Sequence, residues 1–127
     1  MNLRTEIKKL DLVFSQYIRL RDRIDGGDFA YCCTCGRPKP LKEMDAGHFI
    51  NRRHYGTRFD DRNVHAQCRY CNRFNEGKLY EYGLFLKEKY GDDIIDRLNV
   101  AKKANKLDMF KVIVMLRHYK AQIKGML

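Results

Sequence analysis

The sequence contains no tryptophan, only two prolines and no apolar run of about 18 residues, the length that a membrane-spanning helix needs. It does not open with a charged segment followed by an apolar one, so we expect neither secretion nor membrane insertion. Acidic residues are also few, since 16 Asp and Glu stand against 26 Lys and Arg and leave a formal net charge of +10. This excess suits contacts with phosphate groups and predicts nucleic acid as a partner.

At 127 residues, the chain has the length of one domain with a modest core. We see no internal repeat, low-complexity segment or linker. The predicted fold class is α+β and mostly helical. We divide the single domain, 1–127, into an N-terminal helix over 1–25, a metal-bound core over 30–77 and basic C-terminal helices over 78–127.

The cysteines predict a structural zinc site. Four of them form two Cys-x2-Cys pairs, Cys32 with Cys35 and Cys68 with Cys71. In a reducing compartment, such pairs are typical of metal ligands rather than of disulfides, and two pairs complete a tetrahedral zinc site. The fifth cysteine, Cys33, is the spare, because Cys32 keeps the spacing that matches the second pair.

Apolar spacing predicts an amphipathic helix over residues 3–24, ended by the turn Asp25–Asp28. We expect its apolar stripe to pack on the zinc core; a dimer seam is the alternative. The stripe comprises Leu3, Ile7, Leu10, Phe14, Tyr17 and Ile24. Further helices are predicted from about Leu79 to Lys89, from Asp92–Asp93 through Leu98, and from about Leu107. On the last helix we expect one stripe of Phe110, Ile113, Val114, Arg117 and Ala121, with Val112, Leu116 and Tyr119 beside it.

Between the cysteine pairs, the pattern favours a β-hairpin followed by a helix. Met44–Ile50 reads as one strand and Asn63–Ala66 as its return. A helix then begins at Cys71, with Asn72 in a capping position. Asp60-Asp61 reads as a turn rather than a carboxylate pair.

Polar side chains in this segment suit phosphodiester hydrolysis. His48 is the candidate general base, since a neutral imidazole can accept a proton at cellular pH. The amide oxygen of Asn72 can bind a hard cation such as Mg²⁺, and Glu76 would face the same way one helical turn later. Asn63 and His65 share one face of the predicted strand. His54 and His118 lie outside this motif, and we interpret them as surface residues.

At these residues the chain resembles the HNH nuclease superfamily, which has a ββα-metal fold, and more narrowly the NinG/Rap family of phage recombination proteins. The resemblance runs from about Phe14 to Gly91. It includes Cys32-x2-Cys35-Gly36, Asp45-Ala46-Gly47-His48-Phe49, Arg58-Phe59 and Asn63-Val64-His65-Ala66-Gln67-Cys68-x2-Cys71-Asn72. The last two strings are specific, and the arginine-rich helix 17–23 supports them. The cysteine set followed by asparagine is also similar to the endonuclease VII group of junction resolvases.

The resemblance implies a role for each motif position. His48 would be the general base at the end of the first strand, Asn63 the asparagine that braces the hairpin loop, and Asn72 a ligand of the catalytic metal. This makes an HNN variant. Many HNH enzymes carry an acidic or histidine ligand directly before the base, where this chain has Gly47. The candidates for the missing ligand are Asp45, His65, Glu76 and water, although strand alternation argues against Asp45.

We therefore expect an endonuclease that cuts branched DNA such as Holliday junctions in the bacterial cytoplasm, with structural Zn²⁺ and catalytic Mg²⁺ or Mn²⁺. A non-catalytic zinc module that binds DNA is the alternative from another class, and a site-specific HNH nuclease acting on linear duplex is a third. A homodimer is plausible because a junction has two-fold symmetry. The predicted DNA contacts are Arg52, Arg53, Arg58, Arg69 and Arg73, and the basic segment 101–127 is a further candidate.

Overall fold

The computed structural model describes residues 2–127 and shows a mostly helical α+β chain with small antiparallel sheets. The helices and strands follow one another as α1 Leu3–Arg21, β1 Phe29–Tyr31, β2 Pro38–Pro40, β3 Met44–His48, α2 Tyr55–Arg58, β4 Val64–Cys68, α3 Leu79–Tyr90, α4 Ile94–Lys102 and α5 Met109–Met126. Shorter helical turns cover Leu41–Glu43, Tyr70–Phe74 and Glu76–Lys78. Within the described residues, no helix is both long and apolar enough to cross a membrane.

Helix α1 confirms the predicted amphipathic helix but ends three residues earlier, at Arg21. The Asn2 side chain caps its start by accepting a hydrogen bond from Thr5 N at 3.3 Å. Its buried stripe includes Leu10, Phe14 and Ile18. The apolar spacing wrongly placed Ile24 in the helix, because this residue lies after the helix end, in the turn towards β1.

The apolar face of α1 packs on the β3–β4 hairpin of the predicted core, through Val64 and Ala46, and more extensively on α5, which the sequence had not indicated. On α5, the buried residues are Val112, Leu116, Tyr119 and Ile123. Of the two predicted stripes, the one with Val112, Leu116 and Tyr119 is therefore buried, whereas Phe110 in the other is 77% exposed and Val114 48%. Both rows of this helix are apolar, so periodicity alone could not tell which one meets α1.

Strands β3 and β4 form the predicted hairpin as an antiparallel pair, with shifted ends. His48 lies opposite Val64, and Gly47 lies opposite His65. The return strand extends to Cys68, two residues further than predicted, so it leads directly into the second cysteine pair. Strands β1 and β2 form a separate antiparallel pair, and the turn between them carries Cys32 and Cys35.

The chain after β4 departs most from the sequence expectation. Residues Tyr70–Phe74 form a π-helical turn rather than the start of an α-helix, so Asn72 lies inside this turn and caps nothing. The backbone then has positive φ at Glu76 (52°) and at Lys78 (49°), and α3 begins only at Leu79. Glu76 is therefore not one α-helical turn beyond Asn72, as the sequence had indicated.

Helices α3 and α4 confirm the predicted helix pair, which Gly91 separates with a φ of 103°. They bury Tyr82, Leu86, Ile94 and Leu98 in a cluster that also contacts Phe49 and Cys33. On β4, Val64 packs in the cluster of α1 and α5, whereas His65 contacts Tyr82, Phe85 and Tyr90 of α3. Because neighbouring residues of a strand point to opposite faces, the hairpin lies between two helical layers.

Candidate metal centre and adjacent cavity

The predicted cysteines converge on one point. The turn between β1 and β2 supplies Cys32 and Cys35, the end of β4 supplies Cys68, and the π-helical turn supplies Cys71. Their Sγ atoms all lie within 4.8 Å of one another, and those of Cys35 and Cys68 are 3.9 Å apart. Thiolates bound tetrahedrally to zinc at about 2.3 Å are roughly 3.8 Å apart. The four side chains could therefore hold a zinc ion, and Cys33 lies outside the group.

Local hydrogen bonds favour the thiolate form at one of these ligands. Burial raises the pKa of Cys32, but hydrogen bonds from the Thr34 hydroxyl and from nearby backbone groups outweigh it and lower the pKa to about 6. Burial raises the pKa of Cys71 to about 12. Metal binding at Cys71 would therefore have to release a proton that the protein alone retains.

Beside the cysteine centre lies a cavity of about 400 Å³. It brings together three of the residues predicted to act in catalysis or metal binding, Asp45, His48 and Asn72. Its lining is completed by Asp11, Phe14, Ser15, Ala46, Asn51, Arg52 and Arg73. Strand β3 pairs with β4 along one edge. Side chains from both of its faces reach the cavity, so strand alternation does not separate Asp45 from His48.

The ring of His48 is held in a defined orientation. Its Nε2 lies 2.9 Å from the backbone oxygen of Arg58. A carbonyl oxygen only accepts hydrogen bonds, so Nε2 carries the hydrogen and Nδ1 is the proton acceptor. The pKa of His48 is lowered chiefly by burial, with a further contribution from the positive charge of Arg52. The imidazole is therefore neutral at physiological pH.

The carboxylate of Asp45 is engaged on two sides. Asn72 Nδ2 donates to Asp45 Oδ2 at 3.0 Å. The guanidinium of Arg73 makes a bidentate pair with the same carboxylate, with both nitrogens 2.9 Å from an oxygen. The Arg73 side chain is 55% exposed, and an exposed ion pair contributes only about 0–1 kcal/mol. The exposed pair with Arg73 can therefore be replaced by another partner of the Asp45 carboxylate.

Gly47 lies beneath the side chain of Gln67. A Cβ added at Gly47 would overlap Gln67 Oε1 and come within 2.9 Å of Gln67 Cβ. The Gln67 amide is itself fixed, because Nε2 donates to Thr34 Oγ1 at 3.1 Å and to Gly77 O at 2.7 Å. An acidic side chain directly before His48 therefore does not fit in this fold, which accounts for the glycine at position 47.

Of the three side chains considered for the missing ligand, only Asp45 lines the cavity. His65 is buried elsewhere, with Nε2 2.9 Å from the Tyr90 hydroxyl and Nδ1 3.3 Å from the Tyr82 hydroxyl. Burial, aided by the positive charge of Arg21, lowers the pKa of His65 to about 3. Glu76 is exposed, because the backbone turns away after Phe74. Neither side chain reaches the cavity.

Asn63 braces the loop that follows β3. Its Oδ1 accepts from Ile50 N at 2.8 Å, and its Nδ2 donates to Ile50 O at 3.0 Å and to Thr57 O at 3.1 Å. The preceding Asp60 forms the predicted turn, since its side chain accepts from Arg62 N at 3.0 Å. Asn63 thus fixes the loop that carries the Arg58 carbonyl.

The arginines predicted to contact DNA differ in availability. Arg58 is only 13% exposed at its side chain and binds the Asp11 carboxylate through Nε at 2.9 Å, so we withdraw it as a phosphate contact. Arg52 lines the cavity and is 61% exposed. Arg53 and Arg69 are also exposed. The sequence had not indicated Asp11, because its partner lies 47 residues away and neither residue has a local signal.

Comparisons with known proteins point to the same family in each case. The family model described as Bacteriophage Lambda NinG protein matches residues 2–126. The protein ninG of Salmonella phage P22 is 29% identical over 121 residues, covering 94% of this chain and 57% of that protein. The protein ninG of Escherichia phage lambda is 32% identical over 93 residues, covering 72% of this chain and 43% of that protein.

The chain spans about half the length of the curated relatives that it matches. No solved structure matches it. The family model nevertheless covers nearly every residue, including the four cysteines and the cavity. The chain belongs to the NinG family.

Proposed function

We propose that this protein is a metal-dependent endonuclease that hydrolyses phosphodiester bonds in branched DNA, such as Holliday junctions. The observation that carries the proposal is the convergence of Asp45, His48 and Asn72 in one cavity, with His48 oriented by the Arg58 carbonyl. A base, hard oxygen donors and nearby arginines are the groups that phosphodiester hydrolysis requires.

In this proposal, His48 is the general base. Its Nδ1 accepts a proton from the attacking water, while Nε2 keeps its hydrogen bond to Arg58 O. The lowered pKa of His48 keeps the acceptor available at neutral pH.

Asn63 and Asp11 orient His48 indirectly, by holding the loop that carries the Arg58 carbonyl. Asn63 braces this loop, and Asp11 binds the Arg58 side chain.

The oxygen atoms of Asp45 and Asn72 suit Mg²⁺ or Mn²⁺. When bound, the ion supplies charge neutralisation at the scissile phosphate and the leaving oxygen. The carboxylate of Asp45 would exchange its exposed pair with Arg73 for the ion. Arg73 and Arg52 then remain at the cavity rim as contacts for phosphate oxygens.

The chain topology supports the HNH interpretation. The β3–β4 hairpin, followed by the turn that carries Asn72, has the order of a ββα-metal core, and the cysteines join the two ends of this unit. We assign the chain to this superfamily as an HNN variant with a Zn²⁺ scaffold, as in the endonuclease VII group. The relatives are phage proteins, so we propose that it acts in the bacterial cytoplasm. There it would act as a homodimer on two-fold symmetric junctions.

One observation favours a second function, that of a zinc-stabilised DNA-binding module without catalysis. Arg73 and Asn72 already satisfy Asp45, so the cavity is balanced in charge without a metal. A protein of this kind would bind branched DNA and leave it intact.

The test is cleavage of a synthetic four-way junction by the zinc-loaded protein in Mg²⁺ and in Mn²⁺. The controls are a linear duplex of the same sequence and the variants His48→Ala and His118→Ala. His118 is an exposed histidine on α5, outside the cavity. We expect His48→Ala to lower the cleavage rate by about 10²- to 10⁴-fold, the range for loss of a general base, and His118→Ala to leave it unchanged.

The outcomes separate the candidates. Cleavage of the junction alone, lost in His48→Ala, supports the proposal. Equal cleavage of the duplex identifies a site-specific or general HNH nuclease instead. Tight binding without cleavage in either metal identifies the non-catalytic module. Light scattering of the free and junction-bound protein decides whether it is a dimer.

A further inference from the structure

Two large aromatic side chains stand in solvent on the π-helical turn beside the cavity. Tyr70 is 65% exposed and Phe74 is 75% exposed. Their ring centroids are 6.4 Å apart, with 33° between the ring planes. Neighbouring exposed aromatic rings are unusual on a protein that binds nothing there, because each leaves apolar area in water. These rings form a small apolar surface, which we call the aromatic pair.

The turn that carries the aromatic pair is anchored from below. Cys71 is buried and belongs to the four-cysteine group. Asn72 and Arg73 bind Asp45 on β3. With Cys71 and Asn72 held in this way, the backbone orients both rings before any partner arrives, which lowers the entropy cost of binding to them.

The charge around the aromatic pair favours an anionic partner. Arg69 and Arg73 precede Tyr70 and Phe74 in the sequence, and both are exposed. Arg69 donates to the backbone oxygen of Lys42, so its charge is not cancelled by a carboxylate there. Aromatic rings next to arginines are the combination that binds single-stranded nucleic acid, where bases stack on the rings and phosphates meet the cations.

We propose that Tyr70 and Phe74 form a stacking platform for one or two unpaired DNA bases. In intact duplex the bases are stacked on each other, so the platform is used where strands separate. It lies on the same turn as Asn72 and would place a branch point beside the cavity. The link to a branch point rests on the proposed nuclease function, whereas the stacking of unpaired bases does not.

The test measures binding without cleavage. The full chain, loaded with zinc and kept free of Mg²⁺, is titrated into three labelled DNAs, and fluorescence anisotropy reports the affinity. The DNAs are a fully paired duplex, the same duplex with a two-base bulge, and single-stranded oligothymidine. The variants are Tyr70→Ala, Phe74→Ala and their combination. Phe110→Ala is the matched control, because Phe110 is 77% exposed and lies on α5, and its removal leaves every basic residue of segment 101–127 in place.

We expect the double variant to bind the bulged and single-stranded DNAs at least five-fold more weakly, and the paired duplex with unchanged affinity. Because aromatic rings neutralise no phosphate, the slope of log K against log salt stays the same. Phe74→Tyr retains affinity. Zinc content and melting temperature equal to the parent exclude misfolding, since both rings are already in solvent.

Three results would overturn the proposal. One is an equal loss of affinity for paired duplex and bulged DNA. Another is an equal loss in Phe110→Ala, which would mean that any exposed phenylalanine has this effect. The third is a dimer of the parent that the double variant abolishes without a change in DNA affinity, which would identify a second copy of the chain as the occupant. Because this test measures binding and not cleavage, its result can be interpreted even if the protein is not a nuclease.

Discussion

Gly47→Ala should destabilise the protein although it adds only one methyl group. The new Cβ would overlap Gln67 Oε1 and approach Gln67 Cδ to 3.0 Å, and overpacking of this kind costs about 1–3 kcal/mol. Alanine also has about 0.5–1 kcal/mol less backbone entropy to lose than glycine, so the net loss is centred on about 1 kcal/mol and is at most about 2.5 kcal/mol. For 127 residues, at roughly 2.1 cal/mol/K per residue, a loss of about 1 kcal/mol lowers the melting temperature by about 4 °C, and the upper limit lowers it by about 9 °C.

Thermal unfolding followed by circular dichroism at saturating zinc measures this shift. Gly125→Ala is the control, because a Cβ there meets nothing within 4 Å and its position in α5 favours alanine; its melting temperature should not fall. In a Gln67→Ala background, Gly47→Ala should cost less than it does in the parent, since Oε1 and Cδ are removed and only the contact with the Cβ of residue 67 remains. If Gly47→Ala melted at the same temperature as Gly125→Ala, the packing reason for the missing acidic residue would be refuted.

Further predictions concern the zinc site, a buried histidine and the loop that orients His48. Cys68→Ala should unfold the chain, because structural zinc contributes about 10–16 kcal/mol, which exceeds the free energy of unfolding of most domains. A Cys68→Ala protein that stayed folded without zinc would contradict the structural role of the metal. Cys33→Ser should keep full zinc content. Below pH 6.5, His65 binds a proton in the unfolded chain but stays neutral in the folded chain, where its pKa is about 3. The free energy of unfolding therefore falls by about 1.4 kcal/mol per pH unit as the pH decreases towards 3. His65→Gln should flatten that slope between pH 6.5 and 5.5 in denaturant titrations, and an unchanged slope would show that His65 is not its source. Asp11→Asn should slow junction cleavage by about 10- to 100-fold with zinc content unchanged, and an unaltered rate would remove Asp11 from the support of His48.

Short-range sequence signals predicted the parts of the fold that depend on them. The spacing of two cysteine pairs was enough to indicate the metal centre, because each pair binds from one tight turn. Helices α1, α3 and α4 followed from apolar periodicity and from the turn residues between them. The hairpin followed from the same pattern, with end residues shifted by one or two positions.

The packing of the helices needed information that local patterns do not contain. On α5, both candidate rows of residues are apolar, and only the position of α1 decides that Val112 and Leu116 are buried while Phe110 is not. The π-helical turn was missed for a similar reason. Its backbone is fixed by Cys71 in the cysteine group and by the contacts of Asn72 and Arg73 with Asp45, on a strand that precedes it by 27 residues or more.

The sequence likewise predicted only those residues of the candidate site that have a local signal. His48 and Asn72 were found from the motif, and both line the cavity. The sequence could not choose among Asp45, His65 and Glu76, because the choice depends on which side chain reaches the open edge of β3. Asp11 was not considered at all, since its contact with Arg58 joins α1 to a loop 47 residues later.

The two departures around the cavity are connected. Gln67 occupies the space over Gly47, so a carboxylate on that face of β3 must lie at the neighbouring position of the same face, Asp45. Asn72 lies on a π-helical turn rather than at the start of an α-helix, and it is there that its amide meets Asp45 at 3.0 Å. One hydrogen bond therefore joins the Asp45 carboxylate on β3 to the π-helical turn. A variant that restored an acidic residue at position 47 would clash with Gln67 and would leave Asn72 facing Asp45 as before.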